Sequence, residues 1–128
     1  MFEPMLAADP TFEPAWREFA EEWADEPDLP EYLALADFAR HLIARLERGE
    51  TEVFEPVFQV VERWHLEGEH YVREAATIGL LESLQNTNLH EGATRPDDFV
   101  PWLRPETRRW WEKLERFWDG DVMALRDD

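Results

Sequence analysis

The sequence predicts an all-α fold: a compact bundle of about five helices, with HEAT-like stacking of helical hairpins as the alternative packing. Three observations point there. Apolar residues recur at three- and four-residue intervals in block after block, the spacing of one helix face. Proline and glycine punctuate the chain into segments of helical length. Neither a strand–turn–strand signal nor a repeated strand–helix alternation occurs. No fixed internal period is present either, which argues against a true repeat array.

The first block starts near Thr11, an expected N-cap, with Pro14 in its opening turn. Trp16, Phe19, Ala20 and Trp23 keep helical spacing, and Glu18, Glu21, Glu22 and Asp25 fall on the other side. The segment DEPDLP ends it. The second block, residues 31–49, runs from Pro30 to Gly49, the proline-first, glycine-last asymmetry of a helix. Tyr32, Leu35, Phe38, Leu42, Ile43 and Leu46 form its apolar face.

The third block, residues 51–68, has Thr51 as its expected N-cap and Phe54, Val57, Phe58, Val61 and Trp64 at helical spacing. Its valines suit a strand, but length and period favour a helix. The fourth block, residues 69–89, contains YVREAATIGLLESLQN, apolar on nearly every side from Ala75 to Leu81. A helix apolar all round is a buried one. Ala75, Ala76 and Gly79 are small enough to let neighbours approach closely. The fifth block, ETRRWWEKLERFW at 106–118, is the one basic helix, with Arg108, Arg109, Lys113 and Arg116, and is expected to pair with the acidic N-terminal half. The whole forms one domain, 1–128, with residues 1–10 and 121–128 expected to be loosely ordered ends.

Composition narrows the chemistry. The 128 residues include no cysteine, which excludes disulfides, thiol catalysis and thiolate metal sites. No basic leader with an apolar stretch opens the chain, and no run of about 18 apolar residues occurs, so the expectation is a cytoplasmic protein outside the membrane. The net charge is −17 and unevenly spread. Residues 1–70 hold 18 acidic and 5 basic residues; residues 71–128 hold 12 and 8. The densest stretch has seven acids and no base: Glu18, Glu21, Glu22, Asp25, Glu26, Asp28 and Glu31. Such a face repels nucleic acid and anionic lipid and attracts a basic protein. These seven residues are the expected partner-binding set.

The sharpest chemical pattern is ERWHLEGEHYVRE, residues 62–74, with Glu62-x-x-His65 and Glu67-x-x-His70. Glu-x-x-His sets two ligands on one helix face, as in di-iron bundles. Those bundles place the motifs on separate helices; here they are five residues apart across Gly68. Solvated surface or local ion pairs are therefore the expected reading, with Glu62, His65, Glu69 and His70 as the alternative metal set. Glu74 and Glu82 lie about 12 Å apart along a helix, too far for a carboxylate pair without a third acid. They read as a first-turn charge and a solvated or Arg-paired side chain. Gln85, Asn86 and Asn88 read as capping and loop residues, and most of the seven Trp as core. No phosphate-binding glycine loop and no Gly-x-Ser-x-Gly nucleophile motif is present. No catalytic residue and no cofactor is expected.

The stretches EAATIGLLESLQN and ETRRWWEKLERFW resemble an uncharacterised family of small acidic helical bacterial proteins, similar to immunity proteins encoded beside polymorphic toxins. The motifs are packing patterns and transfer no catalytic residue. The resemblance implies a binding role. The leading expectation is thus a non-catalytic inhibitor of a basic protein such as a toxin domain. The alternatives are a nucleic-acid mimic, a metal-dependent enzyme using the 62–74 cluster, and a homodimer built on exposed Trp.

Overall fold

The computed structural model describes residues 2–90, 92–121 and 123–125. Seven α-helices follow one another: α1 (Glu3–Ala8), α2 (Glu13–Glu22), α3 (Glu31–Glu47), α4 (Phe54–Glu67), α5 (His70–Glu74), α6 (Glu82–Gln85) and α7 (Pro105–Trp118). A π-helical segment, Ala75–Leu81, joins α5 to α6, so residues 70–85 form one continuous central helix. Short 3₁₀ turns occupy Pro10–Phe12, Thr87–Leu89 and Pro96–Trp102. No strand occurs among the described residues.

The central helix packs along α3, and α4 receives α1 on one side and α7 on another. Phe38, Leu42, Phe54, Phe58, Leu80, Leu84, Phe99 and Trp111 are buried in the core between them. The π segment lies where the helix is most enclosed: Ala75, Ala76, Thr77, Gly79, Leu80 and Leu81 are all buried. Gly79 sets the approach to α3, because a Cβ there would lie 2.8 Å from Leu35 Cδ1, in a side chain with no exposed surface. Alanine normally gains about 1 kcal/mol over glycine in a helix. Overpacking a filled core costs about 1–3 kcal/mol. Gly79→Ala is therefore expected to lower stability by about 1 kcal/mol. A urea midpoint that rises in the variant would show that α3 yields freely.

Several helix ends differ from expectation. Thr11 is not the first cap. Asp9 caps the Pro10–Phe12 turn, accepting from the Thr11 backbone N–H at 3.1 Å and from the Thr11 hydroxyl. Thr51 uses its backbone carbonyl, not its side chain, to receive Phe54 N–H. The C-terminus of α3 is as the sequence suggests. Gly49 takes φ 73°, and a Schellman pair forms, Glu50 N–H to Arg45 C=O and Gly49 N–H to Leu46 C=O.

The segment before Pro10 is not a loose end. Phe2 and Met5 are buried, and the Phe2 ring stacks on Trp16 at 4.5 Å between centroids. A six-residue helix is too short to stand alone; its apolar side makes sense only against α4. Asp9 anchors it from behind. Its fully buried carboxylate meets His41 Nε2 at 3.0 Å, while Arg45 donates to the Thr11 hydroxyl oxygen. Burial opposes ionisation of Asp9, yet the hydrogen bonds from His41 and Thr11 and the charges of His41 and Arg45 hold its pKa below the usual value. At the other end Ala124 is buried and Leu125 packs on the core; the expectation for Val122 and for residues 126–128 falls outside the described residues.

Candidate functional site

Glu18, Glu21 and Glu22 project from α2, and Asp25, Glu26 and Asp28 lie in the connection to α3; all six are exposed. Glu31, the first residue of α3, is half-buried. None of the seven forms an ion pair among the described residues. This contrasts with the acids of α7, where Glu112 and Glu106 are paired to Arg108 and Arg109 within the helix. The one base beside the acidic stretch on α2, Arg17, is paired to Glu13 instead.

Two depressions divide four of the seven acids. Glu18 and Glu21 border a shallow depression beside Pro14. Asp28 and Glu31 instead line a cleft of about 720 Å³ with Trp16, Leu29 and Tyr71. Tyr71 comes from the central helix, and no spacing in the sequence connects it to α3. Its neighbour is Tyr32, ring edge to ring face at 6.1 Å. Burial, the charges of Glu31 and Asp28, and a hydrogen bond to Glu31 raise the Tyr71 pKa. Leu29 and Tyr71 are nevertheless 38% and 47% exposed, so the cleft offers apolar surface beside carboxylates. A cationic side chain entering it would meet both an aromatic wall and fixed negative charge.

The Glu/His cluster is split by the corner at Gly68. Glu62 and His65 point into the fold and are buried; Glu69 and His70 point outward and are exposed. Neither solvated surface nor a shared metal site describes the inner pair. Glu62 caps the N-terminus of α7 from another helix: its carboxylate accepts from Glu106 N–H at 3.0 Å, Thr107 N–H at 2.8 Å and the Thr107 hydroxyl at 2.8 Å. Arg104, at the N-cap of α7, supplies no side-chain cap of its own. His65 bridges three elements. Nδ1 lies 3.0 Å from Val61 C=O and 3.2 Å from Thr107 Oγ1, and Nε2 lies 3.0 Å from Thr77 Oγ1. A carbonyl only accepts, so Nδ1 carries the proton and Nε2 accepts from the Thr77 hydroxyl. Burial lowers the His65 pKa to about 4 and keeps the ring neutral. Of the outer pair, His70 makes a surface contact with a third residue, its Nε2 lying 3.2 Å from Glu74. Among the described residues, no three His, Asp or Glu side chains are grouped so as to hold a metal ion.

Glu82 is half-buried without an ion pair among the described residues, and burial raises its pKa. Gln85 ties the central helix to α7, donating to Trp111 C=O at 3.0 Å and accepting from Trp118 Nε1 at 3.1 Å. Asn86 does act as a loop cap, accepting from Asn88 N–H. Of the Trp residues, Trp64 and Trp111 are buried and Trp118 is exposed.

Residues 2–119 match the family model described as "Domain of unknown function (DUF7674)". The chain belongs to this DUF7674 family. The matched span takes in both Phe2, in the wall of the acidic cleft, and all of α7. No curated protein and no solved structure matches the chain. Among the described residues no helix is long and apolar enough to cross a membrane.

Proposed function

We propose that this DUF7674 chain is a non-catalytic binding protein that neutralises a basic protein partner, in the manner of a cytoplasmic immunity protein blocking a bacterial toxin domain. The observation that carries the reading is the acidic stretch of α2 and the α2–α3 connection. Its carboxylates, six of them exposed, form no ion pair among the described residues, and Asp28 and Glu31 join Leu29 and Tyr71 in an open cleft. Surface carboxylates accelerate encounter with a basic cleft, and the apolar and aromatic residues supply contact area once the surfaces meet. An inhibitor of this kind acts by occupancy, so the inward use of Glu62 and His65 as packing groups is consistent with it.

The test compares two immobilised proteins, the natural sequence and a variant with Glu21, Glu22, Asp25 and Glu26 each changed to Lys, against lysate of the source organism. A basic protein retained by the first and released with rising salt is expected to be lost from the second. With that protein purified, the association rate is expected to fall by about tenfold or more in the variant, with a flatter salt dependence. Equal retention and equal rates on both surfaces would remove the acidic stretch from the binding site.

A further inference from the structure

We propose that a second cavity, between the central helix and α7, binds a free apolar α-amino acid. It measures about 370 Å³, within the range of small-molecule sites. One face of the central helix supplies His70, Arg73, Glu74, Thr77 and Ile78; Trp110 of α7 and Leu125 close the opposite side. The site shares no lining residue with the acidic cleft.

The polarity of the cavity follows from groups buried behind it. Because His65 Nε2 takes the Thr77 hydroxyl proton, Thr77 Oγ1 is left with lone pairs to offer. Thr77 belongs to the π segment, a helix distortion that recurs at functional sites. Glu74 adds a second acceptor; its contacts with His70 and with the Tyr32 hydroxyl leave further lone pairs on the carboxylate. These two acceptors call for an ammonium or another strong donor. Arg73, on the same helix face, makes no ion pair among the described residues and matches a carboxylate.

The rest of the lining is apolar: Ile78, Leu125 and the Trp110 ring. That ring is fixed in place, its Nε1 donating to Glu106 at 3.2 Å and Lys113 Nζ lying 4.3 Å from its centroid. A zwitterion with a hydrocarbon or aromatic side chain complements all three parts. A fatty acid would leave Glu74 and Thr77 without donors, and a nucleotide would meet one unpaired Arg where several cations are needed.

Titration calorimetry of the full chain with L-leucine, L-phenylalanine and L-tryptophan provides the test, with N-acetyl-leucine and leucinamide as controls. At least one free amino acid is expected to saturate the protein at 1:1, with both controls about tenfold weaker. Glu74→Gln and Arg73→Gln, both at exposed positions that leave the core intact, are each expected to weaken binding by about tenfold. Absence of saturable binding by all three amino acids overturns the proposal. So does binding that the controls or the two variants leave unchanged. Thermal unfolding of each variant, expected to match the natural sequence, separates loss of the site from loss of the fold.

Discussion

Glu62→Ala is expected to lower the unfolding free energy by about 3 kcal/mol, read from urea denaturation at pH 7. The carboxylate meets two backbone N–H groups and the Thr107 hydroxyl, all at 2.8–3.0 Å. Removing it bares the buried donors of Thr107 beside the half-buried Glu106 N–H, where solvent replaces the lost acceptor poorly. It also withdraws a negative charge from the positive end of the α7 dipole. Burial works against this carboxylate, but the hydrogen bonds from Glu106 and Thr107 and the charge of His65 hold its pKa below the ordinary value. The ionised form is therefore the one the fold uses. Glu62→Gln should fall between, since the amide keeps one acceptor and turns an N–H toward the remaining donors. Glu67→Ala, at an exposed position on the same helix, serves as the control and should change stability by about 0.5 kcal/mol or less. A Glu62→Ala loss no larger than the control's would mean that α7 finds another cap.

The second large effect concerns pH. His65 titrates near 6.5 when unfolded and at about 4 in the fold, where burial is the main cause. Between those values the unfolded chain binds a proton that the folded chain does not, so stability falls with falling pH. The contribution is fully present above about pH 6.5, declines toward pH 4 and is constant below it, a total of about 3 kcal/mol. The charges of Glu62 and Glu106 oppose the shift without cancelling it. His65→Gln is expected to be less stable at pH 7, with the slope between pH 6.5 and 4 largely removed. The depressed carboxyls of Glu62 and Asp9 act at lower pH, below the ordinary carboxylate range. Denaturant midpoints at half-unit pH steps for both proteins would resolve the two windows. Parallel curves would assign the acid sensitivity to other groups.

How much was legible in the sequence varied with how local the cause was. The second and fifth blocks were read nearly to the residue, because an apolar face, a leading proline and, for α3, a trailing glycine are local signals that agree. Helix α1 was missed, since Phe2 and Met5 are too few to show a period and gain meaning only against α4. Glu62 and His65 illustrate a different failure. Their spacing suggested solvated surface or local ion pairs, with a metal set as the alternative, yet Phe58, Val61, Glu62 and His65 continue the i, i+3, i+4, i+7 row of buried positions on α4. That row was the available signal that the pair faces inward. The π segment left no mark in the sequence. The division of Glu18 and Glu21 from Asp28 and Glu31, between the α2 depression and the Tyr71 cleft, arises from tertiary packing and has no sequence pattern.

The borrowed cap on α7 also bears on synthesis. A ribosome delivers Glu62 and His65 more than forty positions before Thr107, so during elongation the side of α4 that carries them precedes its partner. Helix α1 and the central helix arrive earlier and cover other parts of α4, Thr77 reaching His65; the Glu62 carboxylate waits for α7. The nascent chain should therefore hold that carboxylate without its donors, and open to chaperones, until α7 emerges.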